Sequence, residues 1–206
     1  MQIFVVNSKG GSGKTTIATQ LASHYAQTRH QITLVDRDVQ KSASDWFQNR
    51  PKSLPNIQLI KDLNFIPINS HNNGVVIHDM PAGFVPTLEC PIFANHEINK
   101  ILIPIMPSPT DIKAGLRLIM AIYRSGLLEE KIKVGFVANR TRSNVRYHQT
   151  LMDFLHRVDI PLVGTLRDSQ NYIRSMEHSV SIFDLPSHSV KQDLEQWQPI
   201  IDWLEH

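Results

Sequence analysis

The sequence predicts an α/β protein with a doubly wound, mostly parallel sheet flanked by helices, forming a single domain over residues 1–206. Two patterns predict this fold class. Apolar runs of strand length alternate with segments of helical periodicity, and most of these runs are continuous and β-branched. Such runs are typical of strands that are covered on both faces, as they are in a parallel sheet.

The predicted elements alternate along the chain. The strands are assigned to residues 3–6, 32–35, 75–77, 101–103, 134–137 and 162–164. A further run at 57–60 is predicted to be an edge strand within the irregular stretch 50–73, which is rich in Pro and Asn. The helices are assigned to residues 15–29, 111–128, 145–158 and 189–205, each with apolar side chains at helical spacing.

The composition is that of a globular protein, with 41% hydrophobic and 19% charged residues and a net charge of +2. This charge neither requires nor excludes a nucleic-acid partner. The single cysteine, Cys90, cannot form an intrachain disulfide, and its apolar neighbours favour core packing over a catalytic thiol. No apolar stretch approaches the roughly 20 residues of a membrane span, and no leader opens the chain, so a cytoplasmic location is expected.

A glycine-rich loop directly follows the first strand and precedes the first helix. It reads Ser8, Lys9, Gly10, Gly11, Ser12, Gly13, Lys14, Thr15 and Thr16. The glycines allow backbone N–H groups to turn inward around phosphate oxygens, and the following helix points its positive dipole end at the same anion. Lys14 is expected to contact the β- and γ-phosphates, and the Thr15 hydroxyl is expected to ligate Mg²⁺. The sequence therefore predicts a site for ATP or ADP with Mg²⁺.

Acidic residues end two of the predicted strands. Asp36 and Asp38 follow the second strand, and Asp79 follows the run at 75–77. Because ligands bind beyond the carboxyl ends of parallel strands, these acids are expected to converge on the phosphate loop. They are the candidates for holding the metal and orienting the attacking water, although aspartates at strand ends also cap helices.

The loop carries a second lysine, Lys9, and Ser8 stands where the usual pattern has glycine. This arrangement resembles the deviant Walker A motif of the ParA/MinD ATPases. The resemblance implies that Lys9 reaches across an ATP-dependent sandwich homodimer to the phosphates bound by the other subunit. Residues 36–40 and 79–83 resemble the two switch motifs of that family, with Val39 in place of the usual proline.

The same resemblance assigns roles to individual residues. It implies that Asp36 and Asp79 hold Mg²⁺ through water, that Asp38 positions the hydrolytic water, and that Asn139 reads adenine. The segments 104–111 and 166–184 also resemble the family, so the likeness spans nearly the whole chain in the form of a short ParA-type partition ATPase. No N-terminal extension that would house a helix-turn-helix is expected.

The expected partners follow from the resemblance and from local charge. An acidic C-terminal helix with one lysine would be repelled by anionic lipid, so no membrane partner is expected. Two groups of basic residues are candidates for salt-sensitive, non-specific DNA contacts, although a mixed solvated face explains them equally well. These residues are Arg140, Arg142, Arg146, Arg157, Arg167 and Arg174 in one group, and Lys113, Arg117 and Arg124 in the other.

The function implied is a ParA-type ATPase that positions a plasmid, a chromosome region or a protein organelle and associates with the nucleoid when ATP is bound. A cargo-bound adaptor of the ParB type is expected to stimulate a slow intrinsic hydrolysis. Two other readings remain open. One is a nucleotide-gated regulator of protein assembly that does not bind DNA, and the other is a metabolic P-loop enzyme of the dethiobiotin synthetase type.

Overall fold

The structure is a computed structural model that describes residues 1–29, 31–61, 74–93, 99–129, 132–142 and 146–206. Its strands are β1 (Gln2–Val5), β2 (Ile32–Asp36), β3 (Gln58–Ile60), β4 (Val75–Asp79), β5 (Asn99–Ile105), β6 (Ile132–Thr141) and β7 (Leu162–Arg167). Its α-helices are α1 (Lys14–Thr28), α2 (Ser42–Gln48), α3 (Pro109–Arg124), α4 (Arg146–His156), α5 (Gln170–Glu177) and α6 (Ser187–Glu205).

The described strands form one parallel sheet in the order β3-β2-β4-β1-β5-β6-β7, which confirms the predicted fold class. β1 lies in the middle between β4 and β5, so the loop that follows it opens at the centre of the carboxyl edge. β3 lies at one edge, as the sequence predicted for residues 57–60. No helix in the described part of the chain is long and apolar enough to cross a membrane.

Helices cover both faces of the sheet. One hydrophobic cluster joins α1, α2 and α6 to side chains such as Ile3 and Val5, and the other joins α3 and α4 to Phe4 and Val6. Successive residues of a strand point to opposite faces, so β1 contributes alternately to the two clusters. This double burial explains why the strands read as continuous apolar runs.

One helix prediction needs correction, and two short helices were missed. The predicted helix 111–128 ends at Arg124, because Gly126 adopts a positive φ of 72° and starts a separate 3₁₀ turn at Leu127–Glu129. The short helices α2 and α5 were not predicted at all. Residues 143–145 lie outside the described residues, so the predicted start of a helix at Val145 is not tested. Residues 62–73 of the predicted irregular stretch also lie outside the described residues.

The acidic C-terminal helix α6 lies against the core. The Trp197 side chain is fully buried, and its Nε1 donates to the Tyr172 hydroxyl at 3.0 Å. At the other end of the helix, the buried Lys100 Nζ donates to the carbonyl oxygens of Trp203 and Leu204 at 2.8 and 2.7 Å. A cation at a helix C-terminus satisfies orphan carbonyls and the helix dipole together.

A buried ion pair connects the chain after α2 to the segment before α6. Arg50 donates to both carboxylate oxygens of Asp184, from Nη1 at 2.8 Å and from Nη2 at 3.1 Å, and its Nη2 also donates to the Ser23 hydroxyl on α1. The two charged side chains are only 5% and 1% exposed. Burial raises the pKa of Asp184, but hydrogen bonds from Arg50, Ser181 and Ser23 outweigh it and hold the pKa below its ordinary value.

We expect Asp184→Asn to lower the free energy of unfolding by about 3 kcal/mol at pH 7, because it leaves the buried Arg50 cation without its anionic partner. A depressed carboxyl pKa contributes stability above the pKa of the unfolded chain, and this contribution is lost as the pH falls through the folded pKa. The difference from wild type should therefore narrow below about pH 4. Urea unfolding from pH 3 to pH 8 measures it. The exposed Asp159→Asn serves as control, and a pH-independent difference would contradict the assignment.

Candidate functional site

The phosphate loop lies between β1 and α1 and is shaped by backbone conformations that favour glycine. Gly11 and Gly13 have φ values of 76° and 95°. A Cβ on Gly13 would lie 2.2 Å from the Asn139 amide nitrogen, so only glycine fits there. The first turn of α1 contains no acidic residue, and no side chain caps its N-terminus, so its N–H groups are available to an anion.

Lys14 is the first residue of α1, and its side chain lies over the loop. Its Nζ donates to the carbonyl oxygen of Lys9 at 3.3 Å, and the residue is only 6% exposed. Burial lowers the pKa of this ammonium, while the nearby Asp79 and Asp38 carboxylates raise it. The predicted phosphate-binding lysine and two of the predicted acids therefore lie close enough to shift the pKa of the lysine.

Two asparagines outside the loop hold it in place. At the start of the loop, Asn7 donates from Nδ2 to the Pro104 carbonyl on β5 at 2.6 Å and accepts from the Lys9 backbone N–H at 2.8 Å. At the end of the loop, Asn139 on β6 donates from Nδ2 to the Ser12 carbonyl at 2.9 Å. Asn7 was missed by the sequence analysis, and its place between β1 and the first glycine was the available signal.

Asn139, the predicted adenine reader, also lines a cavity of about 260 Å³ beside the loop. The other lining residues are Thr16, Arg140, Asp168, Ser169, Tyr172, Ile173, Met176 and Glu177. The cavity adjoins the first turn of α1 at Thr16. The adenine role of Asn139 stays a prediction, and its bond to Ser12 gives it a supporting role in the loop as well.

The predicted acids converge, as parallel strand ends require. Asp36 and Asp79 end the neighbouring strands β2 and β4 and are paired in register. Thr15 Oγ1 donates to Asp79 Oδ2 at 2.7 Å, which brings together the two side chains predicted to serve the metal. The other Asp79 oxygen, Oδ1, is buried and has no hydrogen-bond partner among the described residues.

Asp36 and Asp38 also hold local structure. Asp36 Oδ2 accepts from the backbone N–H and the hydroxyl of Ser44 at 2.9 and 2.5 Å, so it caps the N-terminal turn of α2, the alternative role that strand-end aspartates often have. Asp36 Oδ1 accepts from the Asp38 N–H at 3.1 Å, and Asp38 Oδ1 accepts from the Gln40 N–H at 3.0 Å. These bonds define the turn between β2 and α2.

The electrostatics of Asp79 suit a divalent cation. Burial raises the pKa of Asp79 to about 7, the Thr15 hydrogen bond and Lys14 oppose this rise, and the Asp36 and Asp38 charges add to it. An unpartnered buried oxygen next to a threonine hydroxyl and two further carboxylates matches the oxygen ligands that Mg²⁺ prefers. The residues present therefore fit the predicted metal, which would neutralise these charges and those of a bound phosphate chain.

Lys9 is folded against its own subunit. Its Nζ donates to Thr110 Oγ1 at 3.1 Å and forms an ion pair with Asp111 Oδ2 at the start of α3. The Asp111 side chain is fully buried, whereas the Lys9 side chain is 34% exposed. Nothing in the sequence connects Lys9 with Asp111, because the two residues lie 102 positions apart.

Two of the candidate basic residues are held in ion pairs within the chain. Arg167 donates to both carboxylate oxygens of the buried Asp193 at 2.7 and 3.0 Å, so it is held by the core side of α6, and Arg142 pairs with Asp168 at 2.5 Å. Arg157 and Arg174 are exposed and form no ion pair with the described residues. The side chain of Arg146 lies outside the described residues.

The exposed face of α3 is basic and apolar in equal parts. It carries Lys113, Arg117 and Arg124, with Leu116, Met120 and Tyr123 between them. These three apolar side chains are 44–47% exposed. Phosphate contacts alone do not account for such a face.

Comparisons with known proteins agree with the geometry. A model of the CobQ/CobB/MinD/ParA nucleotide binding domain matches residues 3–182. The chain is 28% identical over 188 residues to maintenance of carboxysome distribution protein A from Halothiobacillus neapolitanus, a match that covers 88% of this chain and 86% of that protein.

Two solved structures have a similar fold. One is a protein assigned to plasmid partition from Borrelia burgdorferi B31 bound to AMPPNP, with a TM-score of 0.70, 18% identity and 98% of each chain covered. The other is apo McdA from Cyanothece, with a TM-score of 0.72 and 14% identity, covering 95% of this chain and 96% of that one. At these identities the structural similarity concerns the fold alone.

The raised pKa of Asp79 predicts a pH-dependent stability in the absence of metal and nucleotide. Between about pH 4 and about pH 7 the folded chain holds a proton on Asp79 that the unfolded chain has lost, so stability falls as the pH rises through this window. Asp79→Asn removes this loss. We expect the variant to be more stable than wild type at pH 8, by on the order of 3 kcal/mol, and equal to it below pH 4. Urea unfolding with EDTA measures the difference, and a less stable variant at pH 8 would contradict it.

Proposed function

The chain belongs to the CobQ/CobB/MinD/ParA family of nucleotide-binding domains, and on this premise we propose that it is a ParA-type ATPase that positions or segregates a cargo in the cell. The cargo is a plasmid, a chromosome region or a protein organelle. The names of its relatives, which refer to carboxysome distribution and plasmid partition, support this class of function. We propose one ATPase domain over residues 1–206, with a cytoplasmic location and association with the nucleoid in the ATP state.

The observation that carries the proposal is the convergence of Lys14, Thr15 and Asp79 on one glycine loop at the centre of a parallel sheet. In the proposed site Lys14 and the α1 N-terminus bind phosphates, Thr15 with Asp36 and Asp79 holds Mg²⁺, and Asp38 orients the attacking water. Gly10, Gly11, Ser12, Gly13 and Thr16 complete the phosphate loop, and Asn139 contacts the base.

Lys9 supports a dimer-dependent mechanism. Its ammonium is bound to Asp111 of its own subunit, so it cannot reach a phosphate in another subunit until this ion pair opens. We propose that ATP closes a sandwich homodimer in which each Lys9 exchanges Asp111 for the partner's phosphates. A cation that arrives only on dimerisation makes isolated subunits slow ATPases, and a cargo-bound adaptor then accelerates turnover.

Non-specific DNA is the proposed track for the ATP dimer, supported by exposed arginines such as Arg157 and Arg174. A nucleotide-gated regulator of protein assembly is the second candidate, because the exposed Leu116, Met120 and Tyr123 on α3 suit a protein partner better than phosphates. The first candidate predicts that the protein is retained on DNA only with ATP, and the second predicts no such retention.

We expect Lys9→Ala to bind ADP with an affinity within a few-fold of wild type, because its ammonium is held by Asp111 and the in-cis phosphate contacts belong to Lys14. ATP-driven dimerisation and hydrolysis should both fall by at least about tenfold, since a charge-assisted contact to phosphate is lost in each subunit. Sedimentation velocity with ATP and a phosphate-release assay measure them. The exposed Lys52→Ala is the control, and an undiminished, fully active ATP dimer would contradict the role of Lys9.

We expect Asp38→Ala to bind ATP but to hydrolyse it at least about tenfold more slowly, because the attacking water loses its orienting carboxylate while the phosphate contacts stay. The variant should accumulate as an ATP dimer and retain mixed-sequence DNA. Retention should fall steeply with salt because counterion release drives the binding. A second change, Lys14→Ala, should abolish retention by removing nucleotide binding.

The arginines are tested in the Asp38→Ala background. Arg157→Glu and Arg174→Glu should each weaken retention to a similar extent on all sequences and reduce the slope of log affinity against log salt by about 1. Lys191→Glu, on α6, is the matched control. Equal retention in ATP and ADP, or none at low salt, would favour the protein-assembly candidate.

A further inference from the structure

A row of buried polar side chains crosses three neighbouring strands beneath the site. Gln2 lies on β1, His78 on β4 and Arg37 directly after β2, and they are 1%, 0% and 4% exposed. Arg37 Nε donates to His78 Nδ1 at 3.2 Å, and His78 Nε2 lies 3.2 Å from Gln2 Oε1. These strands are adjacent in the order β2-β4-β1, so the row connects them through side chains as well as through the backbone.

The donor at each step can be assigned. A guanidinium has only donors, so His78 Nδ1 is the acceptor and carries no proton. The His78 proton is therefore on Nε2 and is donated to Gln2 Oε1. Burial and the Arg37 charge hold the pKa of His78 well below its ordinary value, which agrees with a neutral ring. The ring also stacks on Phe4, with centroids 4.3 Å apart and planes 6° apart, so its orientation is fixed.

The row joins the two segments that carry the proposed catalytic acids. Arg37 stands between Asp36 and Asp38, and His78 immediately precedes Asp79. The backbone N–H of Arg37 also donates to the Asp79 carbonyl at 3.0 Å. Since successive strand residues point to opposite faces, His78 lies on the face away from Asp79, and the link supports the acids from behind.

Burial of a guanidinium has a desolvation cost that an apolar side chain of similar volume would not have. The ordinary backbone ladder already pairs β2 with β4. What the side-chain link adds is a fixed distance between the turn after β2 and the end of β4, where the proposed metal and water are held.

We propose that Arg37 and His78 are positioning residues whose hydrogen bond holds the Asp36–Asp38 turn in register with Asp79. The expected change in ATP turnover rests on the proposed ATP hydrolysis. The expected loosening of the turn rests on the geometry alone. Neither side chain touches nucleotide; both act through the aspartates beside them.

The test is the double variant Arg37→Met/His78→Leu, which replaces the two side chains of the link with apolar ones. Its unfolding midpoint in urea should stay near that of wild type. Amide hydrogen exchange at Asp38, Gln40 and Lys41, whose N–H groups bond within the turn, should become at least about tenfold faster, because the turn is no longer anchored. ATP turnover at saturating Mg–ATP should fall about tenfold with ADP affinity within twofold of wild type.

Two further variants make the comparison specific. Ile77→Val, in the same strand, lowers stability without touching the link and should leave both turn exchange and turnover unchanged. His78→Gln keeps one acceptor for Arg37 and one donor for Gln2, so it should restore most of the turnover. If the double variant does not fold, Arg37→Met alone carries the same expectations.

The outcomes separate this proposal from the function it rests on. Unchanged exchange in the turn of a folded variant would overturn the link. Faster exchange with unchanged turnover would overturn the role of Arg37 and His78 in positioning the aspartates for hydrolysis. A wild-type protein that hydrolyses no ATP would refute the proposed function, while the exchange data would still decide whether Arg37 and His78 hold the turn.

Discussion

The phosphate loop must present unpaired backbone N–H groups to an anion, so it cannot be held by the hydrogen bonds that hold a strand or a helix. Its conformation depends instead on side chains outside it. Asn7 fixes its start to the Pro104 carbonyl, and Asn139 fixes its end at Ser12. These partners come from the carboxyl ends of β1, β5 and β6, which meet only because the strands are parallel and β1 is central. The anion site is therefore a property of the sheet order as much as of the glycine motif.

The three acids around this loop differ in whether each of their carboxylate oxygens accepts a hydrogen bond. Asp36 caps α2 through Ser44, and Asp38 closes its own turn, so both carboxylates already have hydrogen-bond donors. Asp79 keeps one buried oxygen without a partner among the described residues, and its pKa is raised to about 7. A cation near Asp79 relieves a burial cost, whereas Asp36 already accepts two hydrogen bonds at Oδ2 and one at Oδ1. Contact of Asp36 with the metal through water is compatible with the cap and agrees with the role that the family resemblance implies.

The sequence was sufficient for the strands and, apart from the end of α3, for the long helices, because double burial leaves continuous apolar runs and α1 buries a full stripe of side chains. It was insufficient for α2 and α5, which have seven and eight residues and are too short to display a helical period. Strand order explains why the convergence of the acids was predictable. Pairings between distant residues were not, since Arg167 reads as a free cation until α6 brings Asp193 to it. Lys9 and Asp111 are a second case.

The pairing of Lys9 with Asp111 bears on why the proposed dimer should require ATP rather than ADP. When Lys9 leaves, it exposes the fully buried Asp111 to the cost of an uncompensated charge, which is several kcal/mol for buried pairs in general. A dimer contact must offset this cost twice, once in each subunit. A diphosphate offers Lys9 less negative charge than a triphosphate. The γ-phosphate would therefore make the interaction of Lys9 with ATP stronger than its interaction with ADP. A ligand shifts an equilibrium only by such a difference, and in the proposed dimer the intrasubunit ion pair would set the threshold that the interaction with the nucleotide has to exceed.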